Sequence, residues 1–343
     1  MRGRKRKHGT RSLPFGMSAL NLIGITVLGL GFVTLMLLSM GFLWQWIEEG
    51  RYAAPPYPQY APYRAAPTHA LLAVTPSSTP VPNLAAILPE GAQLVVSTAG
   101  GDIFANQANG QAFKPTGFHG QDVAVSPDGI TMAYIRGGTL YIQRNGQESR
   151  VPVSGTAAMP TWNADGSELT FVLRDANADH AYRLLLDTMQ TIPLLTVPHI
   201  VAPLRFNPAT GRILIVERTD TNGTAFYSIA ADCADESACR ASRRDIANIK
   251  QTVDWADYHP NAASIVFSDE TNGNLYLLMT ASGDVQPLLI GTTFKKRPTF
   301  NRDGTWLAYN DLGDVSRLYV LRLSDHAVRN TNFGNVASFS WAG

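Results

Sequence analysis

Residues 123–135 read VAVSPDGITMAYI, and three further stretches lay over them: PTWNADGSELTFV at 160–172, PLRFNPATGRILIV at 203–216 and PTFNRDGTWLAYN at 298–310. A fifth, DYHPNAASIVFSD at 257–269, fits less closely. Each holds an alternating strand, a tight polar turn and a second apolar strand. Asp-Gly and Asn-rich turns tolerate the positive φ that short hairpins need. Eight positions after the first turn residue an aromatic returns, as Tyr134, Phe171, Phe267 and Tyr309. The third copy carries an extra turn residue and places Ile215 or Val216 there.

Working outward, a second hairpin follows the copies: DHAYRLLL, GTAFYSIA, GNLYLLMT and SRLYVLRL, each after a polar turn. Each unit therefore holds about four strands. The turn-starting residues Ser126, Asn163, Asn207, His259 and Asn301 are spaced by 37, 44, 52 and 42 positions. Four strands recurring at such a period predict a propeller blade. The 52-residue interval has room for a surface excursion, expected over about 231–248, but not for another blade. At the end, ASFSWAG resembles the opening of a unit, with Ser340 aligned to Asn301, while 93–116 resemble a unit without its first strand. Joined, the two complete a sixth blade and remove two free sheet edges. The fold class expected is all-β, a six-bladed propeller over residues 93–343 closed by its N- and C-terminal strands.

SPDG before an M-A-Y strand, NADG before L-T-F and NRDG before W-L-A-Y resemble the WD40-like repeats of TolB-type propellers, over roughly residues 95–343. The resemblance implies an extracytoplasmic binding propeller. TolB-type proteins are soluble and carry an extra N-terminal domain, where this chain has an apolar segment and a proline-rich one.

No charged residue or histidine occurs between Ser12 and Ile47, and Leu20–Leu43 is apolar over 24 residues. As a helix that run rises about 36 Å, enough for a hydrocarbon layer of about 30 Å. Six cations precede residue 12, whereas Trp44, Trp46, Glu48 and Glu49 follow the run. This pattern predicts a cytoplasmic basic tail (1–16) and a retained single-pass helix (17–47), with the rest extracytoplasmic. A cleaved signal peptide has a shorter apolar region and a small-residue cleavage site; here Tyr52 occupies the position such a site requires to be small. Residues 51–92 contain nine prolines, so 48–92 reads as a semi-extended linker.

Charged residues make up only 16% of the chain, and its net charge of +1 is uneven. Removing the N-terminal cations and the −1 of residues 12–92 leaves about −4 on 93–343. A mildly acidic domain argues against nucleic acid as partner. Cys233 and Cys239 can close a short disulfide loop in an oxidising compartment. A metal site would need further soft ligands, and none stands at a recognised spacing. No G-x-S-x-G elbow, H-E-x-x-H pair or phosphate loop occurs, so neither a catalytic site nor a cofactor is expected.

In a propeller the innermost strands line the channel. The segments just before each repeat then supply binding candidates: His119, Gln121 and Asp122; His199; Asp254 and Trp255; Lys295, Lys296 and Arg297. The last three, adjacent cations, can attract an anion, although solvated loops have the same composition. Trp255 reads as a core aromatic or a channel-mouth anchor; Trp162, Phe300 and Trp306 read as packing between blades. The function expected is a protein-interaction scaffold tethered to the membrane in the cell envelope. Binding of cell-wall or surface glycan is the alternative, and catalysis in the channel is less favoured.

Overall fold

The Asp-Gly turns form because their side chains hold them shut. The Asp128 carboxylate accepts from Ile130 N–H (2.9 Å) and from the Ser126 hydroxyl. Asp165 accepts from Ser167 N–H (2.8 Å) and hydroxyl, and Asp303 from Thr305 N–H (2.9 Å) and hydroxyl. The glycines that follow, Gly129, Gly166 and Gly304, have φ of 73°, 76° and 72°, where a side chain is strained. The Ser126 and Ser167 hydroxyls, with the backbone N–H groups, hold Asp128 and Asp165 below the usual carboxylate range. Groups with depressed folded pKa stabilise above their unfolded pKa, about 4, and lose that contribution as pH falls through the folded value. The Asp128→Asn/Asp165→Asn double variant should therefore lose less thermal stability than wild type between pH 5 and pH 2.5. Equal losses in a melting series would disprove this role of the turns.

The computed structural model describes residues 84–106, 112–207, 209–220 and 223–342. The predicted basic tail, the predicted membrane helix and most of the predicted linker lie outside the described residues. Among the described residues no helix is long and apolar enough to cross a membrane.

Six antiparallel sheets form six blades. Strands β1 (Gln93–Thr98), β2 (Asp102–Ala105) and β3 (Lys114–His119) share a sheet with the last strand, β23 (Val336–Ala342). The next blade, the first in chain order, holds β4 (Gln121–Val125), β5 (Thr131–Arg136), β6 (Thr139–Arg144) and β7 (Gln147–Arg150). The second holds β8 (Thr156–Trp162), β9 (Glu168–Arg174), β10 (Asp179–Leu185) and β11 (Gln190–Val197). The third has three regular strands, β12 (Arg212–Arg218), β13 (Thr224–Ala230) and β14 (Arg244–Ile249). The fourth comprises β15 (Val253–Tyr258), β16 (Ser264–Asp269), β17 (Leu275–Met279) and β18 (Val285–Leu289). The fifth comprises β19 (Phe294–Phe300), β20 (Trp306–Leu312), β21 (Ser316–Arg322) and β22 (Ala327–Gly334).

The third blade's inner strand, 200–206, touches β12 only through bridges at Ile200–Glu217 and Phe206–Ile213. Pro203 explains this. It occupies the position where Asp122, Met159 and Arg297 bulge in other inner strands with φ of 48°, 53° and 56°. Proline is fixed near −65° and has no N–H to give the ladder.

The recurring aromatics stack across strands inside each blade. Tyr134 faces Tyr141, Phe171 faces Tyr182, Phe267 faces Tyr276 and Tyr309 faces Tyr319, with centroids 5.5–6.1 Å apart and planes within 21°. In the third blade the partner of Tyr227 is Ile215, not Val216. Such pairs add about 0.5–1.5 kcal/mol beyond area burial.

The sixth blade closes as expected, with Gln93 opposite Ala342 and Val96 opposite Phe339. The sequence alignment was two residues out, however. Trp341, not Phe339, occupies the place of Trp162 and Phe300, so Ala342 rather than Ser340 matches Asn301. The indoles show the equivalence: Trp162 donates to Ala124 O (3.1 Å) and Trp341 to Thr299 O (3.0 Å), each on the preceding blade. The chain also joins the core before residue 93. Leu84 and Leu88 are buried with Trp306, Leu318 and Val336, and Arg329 donates to Ala86 O (2.6 Å).

The excursion is shorter than expected, because 244–249 form β14, the blade's outer strand. What remains carries helix α1 (Glu236–Ala241), capped by Asp235, which accepts from Ala238 N–H. Glu236 accepts from Thr196 N–H (2.9 Å) and Arg240 donates to Thr196 O (2.5 Å), so α1 satisfies the edge of the second blade. Cys233 and Cys239, both buried, are joined as a disulfide, with Cα atoms 5.2 Å apart. A loop this short gives about 2 kcal/mol by chain entropy. Reduction should lower stability by roughly that amount and speed hydrogen exchange in α1 and at Thr196. Unchanged exchange at both places would show that the bridge does not hold the clasp.

Candidate binding site on the propeller axis

Each inner strand turns a free edge toward the axis, and unpaired N–H groups there are costly. Side chains of neighbouring blades cap them. Ser338 and Ser340 accept from Val123 and Val125 N–H (both 3.1 Å), Asp257 from Phe300 N–H (2.9 Å), and Asp122 from Met159 N–H (3.3 Å). Thr224 caps Val253 N–H (3.1 Å) and Asp179 caps Ile200 N–H (2.7 Å). The blades are thereby stitched together around the channel.

Near the N-terminal ends of the inner strands, Asp122 and Arg297 pair at 2.8 Å, a chord that skips the sixth blade. The Arg297 guanidinium also lies 4.5 Å above the Trp255 ring. Lys296 pairs with Asp254 at 2.9 Å, and Asp254 also accepts from the Ser268 hydroxyl. Lys295 is buried and donates to Thr293 O (2.8 Å); burial lowers its pKa, partly offset by Asp311. The three adjacent cations are thus already engaged within the protein. Of the remaining candidates, His119 ends the outer strand β3, 3.5 Å from Asp102. Gln121 donates to Ala99 O (3.3 Å). His199 lies 3.1 Å from Asp179. The structure therefore assembles Asp122, Trp255 and Arg297 on the channel, with Asp254 and Lys296 beside them, and sets His119, Gln121, His199 and Lys295 apart.

Three residues further along the inner strands, about 10 Å on, the axis widens into a cup of about 500 Å³ at the end bearing the repeat turns. All six blades contribute. The residue before each turn anchor forms a collar: Val125, Trp162, Phe206, Tyr258, Phe300 and Trp341. Five of these six are aromatic. Arg205 and Asp257, one residue earlier in their blades, pair at 3.0 Å in the wall. Burial raises the Asp257 pKa, against the pull of Arg205 and of the Phe300 and Tyr258 N–H groups. Thr161, 2% exposed, points a hydroxyl with no hydrogen-bond partner among the described residues. Arg302 stands exposed at the rim.

Sequence reasoning gave Trp162 and Phe300 a packing role only; they pack between blades and also wall the cup. Phe206, Tyr258, Trp341, Arg205, Asp257, Thr161 and Arg302 were not singled out. The signal was present as a column of aromatics one residue before each turn anchor, misread at the last repeat because of the two-residue misalignment. Among the described residues, no group of three or more His, Cys, Asp or Glu is placed to hold a metal ion.

The architecture defines a six-bladed propeller with a recess on its axis. No family model matches the sequence, and no curated protein matches it. Among solved structures, the chain is similar to TolB from Acinetobacter baumannii, with 15% identity and a TM-score of 0.60 over 76% of this chain and 69% of that one. It is also similar to a putative TolB from Agrobacterium tumefaciens (13%, TM-score 0.53, covering 72% and 90%). A chain of a nidogen/laminin complex matches at 12% identity and a TM-score of 0.57, covering 74% and 98%. At these identities the likeness establishes a shared propeller fold and leaves activity to the site.

Proposed function

We propose that this protein is a membrane-tethered, extracytoplasmic binding propeller that serves as an interaction scaffold for a protein of the cell envelope. The N-terminal apolar segment sets its location, the proline-rich segment gives it reach, and the axial face recognises the partner. The observation that carries this reading is the cup: a walled, partly polar recess on the axis, built by all six blades. The TolB-like fold adds support, since such propellers expose a broad face around the axis. A second reading, a glycan-binding module, is favoured by the aromatic collar, because aromatic rings beside polar groups suit sugar faces.

Crosslinking the full-length protein in native membranes, against a chain lacking 93–343, tests the scaffold. A partner captured only with the propeller present, and lost when Arg302 and Ala164 at the cup rim are both changed to glutamate, supports it. Capture that is indifferent to the propeller or to the rim overturns it.

A further inference from the structure

We propose that the axial cup binds a carboxylate-bearing pyranose, that is, an acidic sugar residue. This rests on the reading of the propeller as a binding module and names the ligand class of its cup. Four observations converge. The volume of about 500 Å³ lies within the range of small-molecule sites and holds one or two sugar rings. Aromatic side chains of five of the six blades line the cup, most of each ring being buried between blades, and the parts left open suit the C–H groups of a pyranose, which carry slight positive charge. The lining includes two arginines, Arg205 and Arg302, against one carboxylate, Asp257. The cup is thus locally positive inside a propeller that carries about −4 overall. Guanidinium groups match carboxylates in a two-pronged geometry.

The fourth observation is the unpartnered Thr161 hydroxyl. At the equivalent places in the fourth and sixth blades, Asp257 and Ser340 cap an N–H of the following blade. Thr161 lies in the lining of the cup with its hydroxyl oxygen buried and unpartnered; rotation about χ1 would offer a ligand a group that both donates and accepts, as a sugar hydroxyl requires of its partner. A purely apolar ligand would leave this hydroxyl without a partner and make no use of the cup's net positive charge. A neutral sugar would use the aromatic walls and Thr161 but not the excess positive charge.

The test uses the full chain in detergent micelles and follows tryptophan fluorescence, since Trp162 and Trp341 line the cup. The probes are methyl glucuronide, galacturonate and N-acetylneuraminate; methyl glucoside serves as the neutral ring and N-acetylglutamate as a carboxylate without a ring. Saturable change is expected with at least one acidic sugar, with affinity on the order of 1 mM or tighter, and at least ten-fold weaker with both controls. Arg302→Gln, at an exposed position, should weaken the acidic sugar at least five-fold and leave the fold intact. Arg205→Lys keeps a cation beside Asp257 but loses the fork, and should weaken it similarly.

Equal binding of methyl glucoside overturns the carboxylate half of the proposal, and equal binding of N-acetylglutamate overturns the pyranose half. No response to any acidic sugar, or affinity unchanged in Arg302→Gln, overturns it entirely. These outcomes are separate from the scaffold test. A partner that still depends on the propeller while no acidic sugar binds leaves the scaffold reading standing and removes this one.

Discussion

Trp341→Ala is expected to destabilise the propeller by about 3–5 kcal/mol, the range for removing a buried aromatic. The indole is buried with Leu94, Val96, Phe339 and Trp306, and its N–H donates across the blade boundary to Thr299 O. Trp162→Ala removes the same indole and the same bond, to Ala124 O, from the second blade. The comparison isolates closure, because β8 is covalently continuous with β9 whereas β23 is held to β1 only by its hydrogen bonds and packing. Denaturant unfolding should therefore show a lower slope for Trp341→Ala than for Trp162→Ala, as the last strand frays ahead of the rest. Equal slopes, or a loss below about 1 kcal/mol, would mean that the terminal strand is not what shuts the ring.

The second large effect is at the ion pair in the cup wall. Arg205→Met should cost about 3–5 kcal/mol at pH 7, because it leaves the Asp257 carboxylate buried without its counter-charge. The pH dependence has a definite sign. The folded pKa of Asp257 is already raised by burial, and loss of Arg205 raises it further. A raised acid favours the folded state most when protonated, so the deficit shrinks as pH falls through the folded pKa and is smallest below the unfolded value of about 4. Urea midpoints at pH 7, 5.5 and 4 would follow this. A deficit that stays constant with pH would place its origin in lost packing. Arg205→Met combined with Asp257→Asn should recover most of the stability, since a neutral amide needs no counter-charge and its oxygen still accepts from Phe300 N–H.

Much of the fold could be read from the sequence because a propeller repeats its local rules. Asp128, Asp165 and Asp303 each announce a hairpin, and Tyr134, Phe171, Phe267 and Tyr309 each mark the second strand's buried face. Where the local chemistry changes, the reading failed. Pro203 breaks the third inner strand, and the 52-residue interval concealed β14 inside an excursion. The site was harder to read for a different reason. Residues that share a channel are brought together by the ring and not by spacing, so Asp122 and Arg297, 175 positions apart, meet only in three dimensions. The lysines and arginine of 295–297 looked alike as a run, yet strand alternation and the bulge at Arg297 send them to three different environments. The collar was legible in principle, since its members hold one column of the repeat; the polar groups behind it, Arg205 and Thr161, had no such regularity to reveal them.

The packing of Leu84 and Leu88 has a mechanical meaning. Any pull arriving through the N-terminal segment meets this buried turn and the Arg329 contact to Ala86 O before it reaches β1. β23, the strand that shuts the ring, meets β1 only through its hydrogen-bonded ladder and is not on that covalent path. With the N-terminal segment as the tether proposed above, the turn would work as a strain relief: force would be taken up where the cable enters the housing, and the latch left unloaded.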